Sequence, residues 1–154
     1  MQKKWNFEIL SWIFVFVFCV LILLPVYIKS GLNYSFYIPN LTSIIVFLTF
    51  SRLIFLLSFT PYGRVKWLKM VLIFLPIPLF LYHINYLYDF QRFVDEEGTI
   101  RFLKGSSDLN DYNFGRFIKY QFIFFCTGAL VTIVLMPARM IISFWRIFNT
   151  KDKV

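Results

Sequence analysis

The 154-residue sequence has few of the side chains that enzymes use for catalysis and metal binding. It contains one histidine, His83, and two cysteines, Cys19 and Cys126, and it lacks P-loop, G-x-S-x-G and H-E-x-x-H motifs. A catalytic zinc ion needs three protein ligands, and these three side chains are scattered along the chain. We therefore predict no catalytic residue, no metal site and no cofactor, although membrane chemistry carried by an arginine or a tyrosine stays open.

Extended polar segments are also scarce, because 59% of the residues are hydrophobic and the mean hydropathy is +0.69. A helix of about 20 apolar residues crosses the ~30 Å hydrocarbon core of a bilayer. Four runs reach that length. The sequence predicts an all-α integral membrane protein in which residues 1–154 form a single membrane domain, an antiparallel bundle of four transmembrane helices. The predicted spans cover residues 9–28, 41–59, 70–88 and 120–145.

Basic residues are distributed unevenly between the predicted connections. Nine lie on the side of the two termini and six on the other side, with Arg52 inside a span. The positive-inside rule therefore favours both termini in the cytoplasm. The aromatic, lysine-rich composition indicates a bacterial inner membrane, and an organellar membrane is the alternative.

The excess positive charge is predicted to face anionic phospholipid headgroups, which attract basic side chains near the surface of a membrane. Nucleic acid is a poor alternative partner, since no soluble basic domain or stacking platform accompanies the charge. The residues assigned to headgroup contact are Arg64, Lys66, Lys69, Arg139 and Arg146.

The connection between the third and fourth spans, the outer loop of residues 89–119, is the only sizeable polar segment. Residues 90–94 and 99–103 are aromatic or β-branched runs around a four-residue turn, a pattern typical of a short β-hairpin. Because an isolated hairpin is marginally stable, it needs support either from its own helix ends or from the outer domain of a partner.

Arg52 is the sharpest single candidate for a functional residue, because a charge inside a span is costly and needs a partner. Thr49 lies on nearly the same helix face, which predicts that this face contacts protein. Glu8 is the predicted counter-ion. Snorkelling of Arg52, or a purely structural ion pair, is the alternative.

A second polar cluster ends the third span and contains His83, Asn85, Tyr86 and Asp89. Hydrogen bonding at a helix end explains the cluster, and a proton-responsive role for the histidine is the alternative. The mid-span sequence P-x-P, beginning at Pro76, predicts a kink or a locally unwound helix, as found in some transport sites.

These patterns predict a non-catalytic accessory or scaffolding subunit of a multi-protein inner-membrane complex. It would act by packing its transmembrane helices against other membrane protein subunits and by docking through its outer loop. The alternative is a small homo-oligomeric channel or transporter that uses the kinked third helix and its polar cluster.

Overall fold

The computed structural model describes residues 2–31, 34–60, 62, 66–103 and 109–149, and this part of the chain is helical without strands. Short 3-10 turns follow the second and fourth helices, at Leu57–Phe59 and Thr99–Phe102. The five α-helices are α1, Gln2–Ser30; α2, Tyr37–Leu56; α3, Lys66–Phe74; α4, Pro76–Glu97; and α5, Leu109–Asn149.

Four helical segments among the described residues are long and apolar enough to cross a membrane, as the sequence predicts. Helices α3 and α4 together form the third of them. All four segments extend beyond the predicted spans, because polar residues next to each apolar run continue the helix. The segments are Trp5–Ser30, Tyr37–Phe59, Trp67–Glu97 and Asn110–Arg146.

The third segment is interrupted at Leu75, as the P-x-P sequence predicts. Pro76 is the first residue of α4, and its nitrogen carries no hydrogen for the backbone bond that would continue α3. The Leu75 amide still donates to the Val71 carbonyl at 2.8 Å, so the interruption is confined to a single turn residue.

Consecutive segments run antiparallel. At one end of this helix pair, Glu8 of α1 contacts Arg52 of α2. At the other end, Tyr37 of α2 donates to the carbonyl of Gly31, the residue after α1. Lys69 contacts Ser143 near the start of α3 and the end of α5. We call the end of the bundle that contains Glu8, Arg52 and Lys69 the lower end and the opposite end the upper end.

Helix α5 lies at the centre of the bundle and packs against α2, α3 and α4, whereas α1 packs mainly on α2. Three groups of buried apolar side chains fill the interior. The lower group contains Leu57 and Met140, and the middle group contains Cys19 and Ile44. Half of the buried residues in the upper group are aromatic, among them Phe122.

The predicted β-hairpin is wrong. Residues 90–94 belong to α4, which ends at Glu97. Gly98 follows with a φ of 78°, and Thr99–Phe102 forms a 3-10 turn. Phe90 and Val94 are four residues apart, so a helix buries both on one face. Phe102 then stacks on Phe90 with ring centroids 5.6 Å apart. The start of the outer loop is therefore supported by helix ends of its own chain.

Candidate functional site: a buried ion pair between α1 and α2

The predicted intramembrane charge, Arg52, forms an ion pair with Glu8. Its Nη2 lies 2.9 Å from Glu8 Oε1, and the two side chains are 9% and 5% exposed. Glu8 lies in the second turn of α1 and Arg52 near the last turn of α2, so the antiparallel contact of these helices brings them to one level. The pair neutralises both charges, which is a condition for burying them.

Two further side chains of α1, Ser11 and Trp12, contact the ion pair. Arg52 Nη1 donates to the Ser11 hydroxyl, which itself donates to the Glu8 carbonyl at 2.8 Å. Trp12 Nε1 donates to Glu8 Oε1 at 2.9 Å, and the Arg52 guanidinium lies 5.5 Å from the centre of the Trp12 ring. These contacts hold the guanidinium between a carboxylate and an aromatic face.

Tyr62, in the connection after α2, lies close enough to this network to be affected by it. Burial raises the pKa of its hydroxyl, and hydrogen bonding to Glu8 and the negative charge of that carboxylate raise it further. The connection thus brings a third element, besides α1 and α2, to the ion pair.

Hydrogen bonding in this network is incomplete. Within the described part of the chain, Glu8 Oε2, Arg52 Nε and the Thr49 hydroxyl are buried and have no hydrogen-bond partner. Thr49 lies three residues before Arg52 on α2, but its hydroxyl makes no hydrogen bond to the ion pair.

Two apolar grooves flank the contact between α1 and α2. One has a volume of about 530 Å³ and extends along α1 from Trp12 to Tyr27. The other, of about 620 Å³, extends along α1 from Phe7 to Val17 and includes Arg52 in its wall. We call them the long groove and the short groove.

The residues of the second predicted cluster differ in their burial and in their contacts. His83 is buried, its Nδ1 lies 2.8 Å from the Leu79 carbonyl, and its Nε2 has no partner among the described residues. Asn85 and Asp89 are exposed on the same helix, whereas Tyr86 is partly buried with its ring 4.5 Å from that of Tyr82. The His83 ring also lies against Tyr82, with centroids 5.3 Å apart, so one tyrosine contacts two of the four predicted residues.

Residues assigned to lipid headgroups also differ in their surroundings. Lys69 is fully buried and donates to the Ser143 hydroxyl at 2.6 Å, and Arg139 Nε donates to the Ile54 carbonyl at 2.9 Å. Arg146 is exposed. Lys66 is the first residue of α3, and Arg64 lies outside the described residues.

The upper half of the bundle contains a buried amide pair that the sequence does not predict. Asn40 of α2 donates to Gln121 Oε1 at 3.1 Å, and Gln121 of α5 donates to Asn40 Oδ1 at 3.0 Å. The two residues are 81 positions apart, so no local pattern links them. The sequence offers only two isolated amides as a signal, one just before the second predicted span and one at the start of the fourth.

No group of three or more potential metal ligands occurs among the residues that the structure describes. Comparison of the chain with protein-family profiles, curated proteins and solved structures finds no significant match.

Proposed function

We propose that this chain is a non-catalytic accessory or scaffolding subunit of a multi-protein complex in a bacterial inner membrane. In this proposal the four apolar segments insert as an antiparallel transmembrane bundle with both termini in the cytoplasm, so that the lower end faces inward. The observation that carries the proposal is the peripheral position of α1. In an apolar stretch of 18 residues of α1, 17% of the residues are buried inside the bundle. In the corresponding stretch of α5 the share is 44%.

Exposed apolar surface alone does not indicate a protein partner, because lipid tails cover it equally well. The shape of the long groove is the more specific argument. From Trp12 to Tyr27 it extends about 22 Å at 1.5 Å per residue, whereas one leaflet supplies about 15 Å of hydrocarbon. A transmembrane helix fills such a groove along its whole length, and a single acyl chain does not.

The Glu8–Arg52 pair gives the groove a defined geometry. It fixes the lower end of α1 on α2, and at the upper end Lys29 of α1 pairs with Asp111 of α5 at 3.4 Å. Because both ends of α1 are attached, the groove between them is preformed, and a partner helix pays less ordering cost on binding.

The outer surface offers a second place for docking. A polar concavity of about 480 Å³ lies at the upper end, lined by Ser35, Phe93, Glu97, Arg101 and Leu103. The Glu97–Arg101 ion pair at its edge is exposed on both sides, so it can exchange partners at little cost. This supports the outer-loop part of the proposal.

Photo-crosslinking in the native membrane tests the subunit role. A benzophenone amino acid replaces Phe16, which is 70% exposed in the wall of the long groove, or Tyr88, which is 66% exposed on α4 and serves as the matched control. We expect a discrete adduct with another membrane protein from position 16 and none from position 88. Adducts with lipid alone at both positions, together with a native mass that contains only this chain, would refute the proposal.

A small homo-oligomeric channel or transporter is the second candidate, and the interruption of the third segment at Pro76 favours it. Flux of small ions into liposomes that contain the purified chain tests this function. Flux that disappears in an Arg52→Leu, His83→Ala double variant would support a pathway along these residues, and unchanged flux would exclude them from it.

A further inference from the structure

Lys69 is a buried cation that pairs with no carboxylate in the described part of the chain. Its ammonium donates to the Ser143 hydroxyl at 2.6 Å and lies 5.7 Å from the centre of the Phe144 ring. An ammonium group has three donors, and a serine hydroxyl accepts one of them. Both side chains are fully buried, so bulk water does not supply the rest.

A second cation, Arg139, lies one helical turn before Ser143 on α5. Its Nε donates to the Ile54 carbonyl at 2.9 Å, near the end of α2. Four of the five guanidinium donors are on the two Nη atoms, and that bond uses none of them. Arg139 is partly exposed, so part of its side chain lies at the surface of the bundle.

Within the described part of the chain, no carboxylate at the lower end of the bundle is left to compensate these two charges. Ion pairs elsewhere in the described part of the chain include Lys29–Asp111, Arg92–Glu96 and Arg101–Glu97, all at the upper end. Glu8 is the described acid at the lower end, and it pairs with Arg52. Two neighbouring cations in a medium of low dielectric constant repel each other, and an external anion would offset this cost.

The surface around Arg139 matches a phospholipid better than a free ion. Leu135 and Ile142 lie four residues before and three residues after Arg139, on the same face of α5, and both are exposed. Val131, one further turn toward the middle of the helix, is exposed as well. An anion at Arg139 therefore has an apolar strip beside it that leads toward the centre of the membrane, as an acyl chain requires.

We propose that Arg139, with the charge of Lys69 behind it, binds the phosphate group of an anionic phospholipid whose acyl chain lies along Leu135 and Val131. Arg139 makes the contact, since a guanidinium matches two phosphate oxygens. Lys69 contributes through its positive charge and does not touch the lipid. The inference rests on the membrane insertion of the proposed function and is independent of the subunit role.

Native mass spectrometry of the purified chain in a neutral detergent tests this site. The chain is titrated with phosphatidylglycerol or phosphatidylcholine of identical acyl chains. We expect tighter binding of phosphatidylglycerol, and a loss of about fivefold in its affinity in Arg139→Gln, in keeping with one basic side chain near a membrane surface. Arg116→Gln, an exposed arginine at the upper end of the same helix, is the control and keeps the wild-type affinity.

Two variants separate the charge of Lys69 from its structural role. Lys69→Met keeps a long side chain without charge and is expected to lower phosphatidylglycerol affinity about fivefold. Ser143→Ala keeps the charge and is expected to lower thermal stability while leaving lipid affinity unchanged. If Arg139→Gln fails to fold, the comparison of these two variants carries the test.

Equal binding of the two lipids would overturn the proposal, as would wild-type lipid affinity in Arg139→Gln or in Lys69→Met. Competition by inorganic phosphate at the same concentration as the lipid would also overturn it, because the site would then belong to a free ion. Alkaline carbonate extraction of native membranes tests insertion separately. An inserted chain without lipid preference would therefore refute the lipid site alone.

Discussion

Glu8 Oε1 and Arg52 Nη2 lie 2.9 Å apart between α1 and α2, in a place where both side chains are nearly enclosed. Removing one partner of a buried ion pair leaves an uncompensated charge, which costs about 3–5 kcal/mol. We expect Glu8→Gln and Arg52→Gln each to destabilise the bundle by about 3 kcal/mol, and the double variant to lose less than the sum. Reversible unfolding in mixed micelles measures the three changes.

The exposed pair Arg92–Glu96, with a distance of 3.0 Å on α4, is the control for this cycle. Exposed pairs four residues apart contribute about 0.3–0.5 kcal/mol, so Arg92→Gln should change the free energy of unfolding by no more than that. Additive effects of the Glu8 and Arg52 substitutions would contradict the interpretation of the pair as a coupled, buried unit.

The reciprocal amide pair of Asn40 and Gln121 allows a second prediction. Asn40→Leu leaves both the oxygen and the nitrogen of the Gln121 amide without their partner. Hydrogen bonds between transmembrane helices contribute about 0.6 kcal/mol on average and at most about 1.7 kcal/mol. We expect a loss of about 1 kcal/mol in the same unfolding assay, and recovery of part of it in Asn40→Leu, Gln121→Leu. The exposed substitution Gln91→Leu should have no effect, and a double variant worse than both singles would contradict the pairing.

The sequence was sufficient to predict the helices and their order, because each apolar run is long enough to span a membrane and only a helix satisfies its own backbone there. It was insufficient for the outer loop. Phe90 and Val94 fit a strand by residue type and a helix by spacing, and short aromatic runs do not distinguish the two. In the structure Phe90 is part of a helix and Phe102 stacks on it. The sequence alone does not reveal this contact.

Among the polar residues, too, the sequence predicts some features and does not predict others. Arg52 was identifiable from the sequence because a charge in an apolar run is conspicuous. The burial of Lys69 was not, since a lysine at the edge of a span normally reaches the headgroups. Its burial depends on Ser143, 74 residues away, and on the packing of α3 against the last third of α5.

Gly115 of α5 gives a third prediction, because the 3-10 turn after α4 packs directly on it. A Cβ atom at this position would lie 2.7 Å from the Thr99 carbonyl oxygen, which is backbone and cannot rotate away. We expect Gly115→Ala to displace the Thr99–Phe102 turn and to cost about 1–3 kcal/mol, as overpacking does. Hydrogen exchange of the turn and the thermal midpoint are the measurements. The exposed Asn113→Ala on the same helix is the control, and unchanged exchange in Gly115→Ala would contradict the packing.

Tyr34 gives a prediction for alkaline pH. The side chain is 1% exposed in the connection between α1 and α2, with its ring 5.3 Å from that of Phe102. Burial raises the pKa of its hydroxyl, although the hydrogen bond from the Asn40 amide acts in the opposite direction. In the unfolded chain a tyrosine ionises with a pKa of about 10.

The folded chain therefore retains the Tyr34 proton at a pH at which the unfolded chain has lost it. This contribution to stability is complete below about pH 10 and is lost as the pH rises further, by up to about 1.4 kcal/mol per pH unit. We expect the thermal midpoint of the wild type to fall more steeply between about pH 9.5 and 11.5 than that of Tyr34→Phe, because phenylalanine has no proton to lose. Tyr88→Phe removes an exposed hydroxyl and is the control for the substitution itself. Parallel curves for the wild type and Tyr34→Phe would show that the hydroxyl reaches water in the folded chain, which is incompatible with the aromatic packing at the upper end of the bundle.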